Sequence, residues 1–390
     1  MKVLQILNYS APYRGNFIDS LDMIEKMILQ RSKTSIYLLM KQKQSRKEGK
    51  EQGASPRLSY KGIWAKQWAN DVTEIYLKNE GAKMSKVAVI IINYNTYQKT
   101  KKCIDILREN TTVDYHIYLL DNGSKNESLH ELKRYYEEAE DVTLIASEEN
   151  LGYARGNNKL LQRAMQDESQ FAVIMNNDIF LMNNAIDLMI EDLQNDKDIS
   201  FVGPHMIGTK GEIQLTAKQK SPDRWQYLCR ETLIGRIFKK NQAEWLKWQE
   251  QQETKQDVYW LSGAMFAARM KDFEKINFFD PFTFLYYEEY IIAEKSKNAK
   301  LRLQYEPDAK VLHQHGGSTK PGVNLLTRTE NFKSELYFMR KYRHWKKSYQ
   351  VLVFVIRILE TYIFWRKDSS CWKAWKSYVK FGVQELRKEP

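Results

Sequence analysis

The sequence predicts an α/β fold, a mostly parallel sheet flanked by helices, and three observations carry that reading. Short apolar runs recur with little polar alternation, at 87–92, 115–120, 142–145 and 171–175. Such runs are strands buried on both faces, as in parallel sheets. Segments of helical periodicity lie between them, at the length that βαβ crossovers require. Each run also stops on a polar cluster, and in open parallel sheets ligands bind just beyond the carboxyl ends of the strands.

Taken in order, residues 1–83 read as a separate piece. Residues 3–7 and 35–40 are strand candidates, 17–29 and 64–77 helix candidates, and 41–56 a polar loop or linker. Two strands and two helices cannot close a full sheet, so a partial α/β extension is expected. The main domain is expected over 84–330. Its first strand ends at Asn93-Tyr94-Asn95, followed by a helix over 100–110. The second ends at Asp121-Asn122-Gly123-Ser124, followed by a helix over 129–140. The third ends near Glu149-Asn150, and a helix begins after Gly152-Tyr153-Ala154-Arg155-Gly156 and runs to about 166. The run at 171–175 stops on Asn176-Asn177-Asp178. Asn and Asp favour turns and helix N-caps. An Asp at a strand's carboxyl end is also a hard oxygen ligand, suited to Mg²⁺ or Mn²⁺ carrying a phosphorylated substrate. Residues 205–257 loosen into a mixture of basic and aromatic side chains. Order returns with a strand at 258–261, a helix from 271, the acidic pair Glu288-Glu289 at the start of a helix ending near 298, and a strand at 310–313. His313 and His315 are two apart and share one face of that strand.

Composition narrows the classes. A chain of 390 residues is long for one core. Its 43% apolar content, with 13% aromatic, excludes a disordered protein. The formal net charge of +12 points to anionic partners. From Arg340 to the end there are 13 Lys and Arg against 4 Asp and Glu. Charge clustered there, without a recognised nucleic-acid module, argues against nucleic acid as a partner. Cys103, Cys229 and Cys371 are odd in number and lack metal spacing, so a reducing compartment without disulfides is expected. The N-terminus is too soon polar for a signal peptide, and no stretch reaches the ~18 apolar residues of a membrane span. Residues 331–390 are expected to be a basic, aromatic helical tail. Over 351–365 a broad apolar face stands against a polar strip of Lys347, Arg357, Glu360 and Thr361. That pattern fits an interfacial helix on anionic lipid and equally a helical hairpin packed on the core.

Six segments stand in a telling order: Ile92-Asn93-Tyr94-Asn95, Leu120-Asp121-Asn122-Gly123-Ser124, Asn150 to Asn158, Asn176-Asn177-Asp178, Leu285-Tyr286-Tyr287-Glu288-Glu289, and Val311 to Ser318. On these, residues 87–318 resemble a family 2 glycosyltransferase of the GT-A fold, with a Rossmann-like sheet, close to bacterial rhamnosyltransferase-like members. The resemblance implies that Asp178 binds the divalent cation, Mg²⁺ or Mn²⁺, with Asn176 and Asn177 as weak oxygen ligands or positioning groups. His313 or His315 would complete the metal site. Asp121, with Asn93 and Asn95, would meet the nucleoside, and Arg155 and Asn157 the phosphates at a helix start. Glu289 would be the base for the acceptor hydroxyl, with Glu288 beside it. Most members carry Asp where Glu289 stands, and many carry Asp where Ile291 stands. The implied activity is inverting hexosyl or rhamnosyl transfer from a UDP- or dTDP-sugar to a lipid-linked or cell-wall or capsular glycan. The implied place is the cytoplasm, peripheral on the inner face of the cell membrane and held by its anionic surface. The alternative is a nucleotide-sugar-binding protein impaired in catalysis, suggested by Glu289 and by the short N-terminal piece. That piece, through Asn8 to Asn16, is similar to the opening of the other common glycosyltransferase architecture.

Overall fold

A computed structural model of the chain describes residues 87–237, 253–314, 325–365 and 371–388. The expected extension over 1–83 and the residue His315 lie outside them. The strands β1 (Val87–Asn93), β2 (Tyr115–Asn122), β3 (Val142–Ser147) and β4 (Phe171–Asn176) run parallel in the order β3-β2-β1-β4. They are joined by α1 (Tyr97–Asn110), α2 (Ser128–Tyr136) and α3 (Gly152–Gln166). After β4 come β5 (Ile179–Leu181), α4 (Ala185–Asn195), β6 (Ile199–Gly208), β7 (Ala217–Lys218) and α5 (Arg224–Glu231). Next are β8 (Gln256–Val258), β9 (Trp260–Leu261), β10 (Met265–Arg269) and α6 (Met270–Lys275). The chain closes with α7 (Glu288–Asn298), β11 (Arg302–His313), α8 (Leu325–Tyr337), α9 (Lys347–Trp365) and α10 (Cys371–Arg387).

The sheet continues past β4 as β10-β6-β11-β5, and β8 also pairs with β11. Here the directions mix: β10 is antiparallel to β4 and β6, β11 is parallel to β6, and β5 is antiparallel to β11. Both faces of the parallel half are covered, which is why its strands read as unbroken apolar runs. Val87, Val89 and Ile91 pack with Ile104, Leu107 and Leu132 of α1 and α2. Ala88 and Ile90 pack with Leu160 and Leu161 of α3.

Two differences from the sequence reading have clear causes. Helix α3 starts at Gly152 rather than after Gly156, so the glycine-flanked segment is its first turn. Gly152 sits at φ +76°, where an added Cβ would lie 2.4 Å from the Phe284 carbonyl oxygen. At Gly156 the Cβ would meet Ile92 Cδ1 at 2.8 Å, so this glycine lets the helix lie close on the sheet. Strand β11 begins at Arg302, well before the expected 310, since residues 302–306 already pair with β6; the register then shifts between Glu306 and Lys310. Pro307 lies in that interval and has no N–H to give the ladder.

The C-terminal helices form a third cluster, in which Phe332, Leu336, Phe338, Val353, Phe354 and Tyr378 enclose Tyr290 and Ile291 of α7. Arg357 grips Glu335 through two bonds, of 3.0 and 2.8 Å, and Glu335 is fully buried. Glu360 accepts from Arg357 at 2.7 Å and from the Leu233 amide at 2.7 Å. Of the two readings left open for the polar strip, Arg357, Glu360 and Thr361 face inward. The exposed stripe of α9 is Val351, Leu352, Val355, Leu359, Tyr362 and Ile363, each 39–54% exposed.

Candidate active site

The carboxyl end of the parallel sheet gathers the polar residues. Asn93 and Asp121 are direct neighbours in register, and both are buried. Asn93 Nδ2 donates to Asp121 Oδ1 at 2.8 Å, and the Ser124 hydroxyl donates to the same oxygen at 2.6 Å. The Ser124 amide donates to Asp121 Oδ2 at 3.1 Å. Thr100 donates to Asn93 Oδ1 at 2.8 Å, so Asn93 is occupied in holding Asp121 rather than open to a ligand. A carboxylate has about four acceptor positions. Three are used, and the remaining one lies on Oδ2. Asn95 adopts a left-handed φ of 57°. Its Oδ1 accepts from the Lys125 amide at 2.7 Å, and its own amide donates to Ser124 at 2.9 Å. Asn122, also buried, donates to Asn150 Oδ1 at 3.1 Å and accepts from the Leu151 amide at 2.9 Å. Ser124 and Asn122 thus fix three strand-end loops together. The sequence reading missed both as site residues, although they stand in the Asp121-Asn122-Gly123-Ser124 segment.

Asn177 lashes the next loop, donating to Thr96 and Thr100 hydroxyls at 2.8 Å each. Asp178 follows. Pairing of β11 with β5 sets His313 opposite Ile179, which brings His313 Nε2 to 3.5 Å from Asp178 Oδ1. His313 Nδ1 lies 2.8 Å from Gln214 Oε1, while Gln214 Nε2 donates to the His313 carbonyl at 3.3 Å. Gln214 thus orients the ring, and its Nε2 faces Asp178. A hard oxygen with an imidazole whose far nitrogen is hydrogen-bonded fits a divalent ion. Among the described residues no group of three or more His, Cys, Asp and Glu side chains is placed to hold a metal.

The acidic pair enters from the other side. Tyr286 and Tyr287 both sit at φ 70° and turn the chain sharply into α7. Glu288 is buried, and its Oε1 has no hydrogen-bond partner among the described residues. Burial first, then the neighbouring Glu289, pushes its pKa up to about 8. Burial also raises Glu289, while the Lys218 ammonium pulls it down. A Cβ placed on Gly263 would lie 3.7 Å from both Glu289 Oε2 and the Tyr153 hydroxyl. Tyr153 itself donates to the Gly263 carbonyl at 2.5 Å. The Asn176 amide donates to the carbonyl of the next residue, Ala264, at 2.9 Å. Glu289 and Tyr153 therefore reach the same end of the sheet as Asp178.

Arg155 and Asn157, expected at the phosphates, have protein partners here. Asn157 is buried and donates to the Tyr153 carbonyl within the helix at 3.0 Å. Arg155 is about 200° around α3 from Tyr153. It is exposed and donates through Nε to the Pro281 carbonyl at 3.0 Å. It lines a cleft with Asp280, Pro281, Lys295 and Lys341.

The half-parallel sheet with its polar strand ends is that of a GT-A fold. The chain belongs to glycosyl transferase family 2, whose family model matches residues 88–293, more than half of its length. A search of curated protein sequences finds no match. Among solved structures it is similar to GalNAc-T7 with UDP, GalNAc and Mn²⁺, at 15% identity and a TM-score of 0.50, a likeness of fold. That match covers 78% of this chain and 56% of the other, so this chain spans little over half of its length. It is also similar to a mannosyltransferase from Pyrobaculum calidifontis in complex with GDP-Man and Mn²⁺, at 14% identity, 77% and 74% coverage and a TM-score of 0.43. A third is S. aureus TarS 1-349, at 13% identity, 77% and 81% coverage and a TM-score of 0.45.

Proposed function

We propose that this glycosyltransferase is inverting and metal-dependent, and moves a hexosyl or rhamnosyl group from a UDP- or dTDP-sugar to a lipid-linked or cell-wall or capsular glycan. The observation that carries the reading is the crevice itself, where Asp178 and His313 lie 3.5 Å apart and the acidic pair of α7 approaches through Gly263. Asp178 and His313 would hold the cation, and the imidazole favours Mn²⁺ over Mg²⁺. Bound there, the cation neutralises the departing diphosphate. Asp121 offers its remaining Oδ2 position to a base N–H or a ribose hydroxyl, and Asn95 flanks it.

The acidic pair divides its roles by environment. Burial raises both carboxyls, Glu288 to about 8, but only Glu289 is also pulled down by Lys218, which favours Glu289 as the base. Glu289, supported by Lys218, takes the acceptor hydroxyl proton. The acceptor oxygen attacks the anomeric carbon as the bond to the diphosphate breaks on the opposite face, so configuration inverts. The longer Glu289 in place of the usual Asp keeps alive the rival reading, a nucleotide-sugar-binding protein without turnover. A panel of nucleotide sugars with and without Mn²⁺ tests both. The transferase reading expects a metal-dependent rise in melting temperature together with release of the free nucleotide. A rise without release favours the rival, and no rise with any donor contradicts both.

The chain is also proposed to lie on the inner face of the cell membrane. Among the described residues no helix is long and apolar enough to cross a membrane. What supports surface attachment is the outward apolar stripe of α9 with Trp372 beside it, set in a tail rich in Lys and Arg.

A further inference from the structure

A second cleft, of about 640 Å³, lies between α3, the 277–282 loop, α7 and the segment after α8, and has no role in the reading above. Three cations from three elements line it: Arg155 of α3, Lys295 of α7 and Lys341 of the turn after α8. Arg155 uses only Nε, toward Pro281, and its two Nη groups have no partner among the described residues. Lys295 is half-buried, donates to the Phe278 carbonyl at 2.6 Å, and is pushed by burial down to about 8, so an anion beside it would relieve a strained charge. Asp280 is the single carboxylate of the lining. Its charge is already met by Tyr337 at 2.8 Å, Tyr342 at 2.5 Å, Lys341 at 2.9 Å and the Phe282 amide at 3.0 Å. These donors outweigh its burial and hold it at about 2. The stacked rings of Phe282 and Tyr337, with centroids 3.8 Å apart, hold the wall that carries Pro281. The same loop, 277–287, runs straight into Glu288 and Glu289.

We propose that this cleft is an oxyanion subsite that binds a phosphate or carboxylate group carried by the acceptor, separate from the crevice that receives the donor diphosphate. The acceptor assignment rests on the transferase reading, and the oxyanion site itself does not. None of Asp121, Asp178, Glu289 and His313 lines this cleft, and the loop its cations grip ends at the acidic pair. A charged acceptor seated there would be oriented by a part of itself that does not react.

The test is calorimetric titration of the full chain in metal-free buffer with inorganic pyrophosphate and, separately, with trigalacturonate. Saturable binding of at least one is expected. Tighter pyrophosphate binding indicates a phosphate-bearing acceptor, and tighter trigalacturonate binding an acidic sugar. Lys341→Gln and Lys295→Gln should each raise the Kd about tenfold, the scale of one charge-assisted hydrogen bond. Lys341→Arg should restore it, and Asp178→Ala should leave it unchanged. Binding of neither anion, an unchanged Kd in both Gln variants, or loss of binding in Asp178→Ala overturns the proposal. Anion binding in a chain that turns over no donor would instead contradict the transferase reading and leave the oxyanion site standing.

Discussion

Glu288 holds a proton that the unfolded chain releases. Its folded pKa of about 8 stands above the ordinary 4.5. The folded state therefore binds the extra proton between those values, and this site's contribution to stability is present below about 4.5 and lost as pH rises toward 8. Glu288→Gln, neutral at every pH, should flatten that loss. Urea midpoints at pH 5 and pH 8.5 should fall further apart for the native chain than for the variant. Equal spacing would show that Glu288 is not raised. Gln214 makes a second residue-scale prediction, because it holds the His313 ring in place. Gln214→Leu should weaken Mn²⁺-dependent UDP binding by about 10- to 100-fold with the melting temperature little changed. Unaltered Mn²⁺ dependence would remove Gln214 from the site. Asp121, Asp178 and the acidic pair were legible in the sequence because each ends or begins an element with a local signature. Gln214 was not, since its partner His313 lies 99 residues away and only the pairing of β11 brings them together.

At the scale of elements, α9 shows what periodicity leaves open. The sequence marks an apolar face and a polar strip, but not which of them faces out. The answer depends on Glu335, 22 residues before Arg357, which draws the strip inward. Arg357→Met should cost about 3–5 kcal/mol, since it leaves a buried carboxylate unpaired, and chemical denaturation measures it. Trimming the chain near Tyr342 should likewise expose the cluster around Phe332 and destabilise the core. Leu359→Glu, on the exposed stripe, should leave the melting temperature within a degree or two, as surface changes usually do. It should still lower co-sedimentation with anionic vesicles. Native protein that ignores anionic vesicles would contradict membrane attachment. The early start of β11 was hidden for a related reason: Pro307 and the register shift break the alternation that marks a strand.

At the scale of the whole molecule, the parallel half of the sheet was readable because both its faces are covered, which leaves uninterrupted apolar runs. The mixed half was not. Its strands come from distant segments, and β10 sits between β4 and β6 although it follows both in sequence. That arrangement builds the crevice: β10 places Gly263 beside the end of β4, and β11 places His313 beside Asp178. The central claim is that this crevice holds the donor through a cation on Asp178. Its most direct test is the affinity of the full chain for UDP with and without Mn²⁺, in native protein and in Asp178→Ala. The account predicts that Mn²⁺ tightens UDP binding to the native chain and does nothing for the folded variant. Equal tightening by Mn²⁺ in both would contradict it.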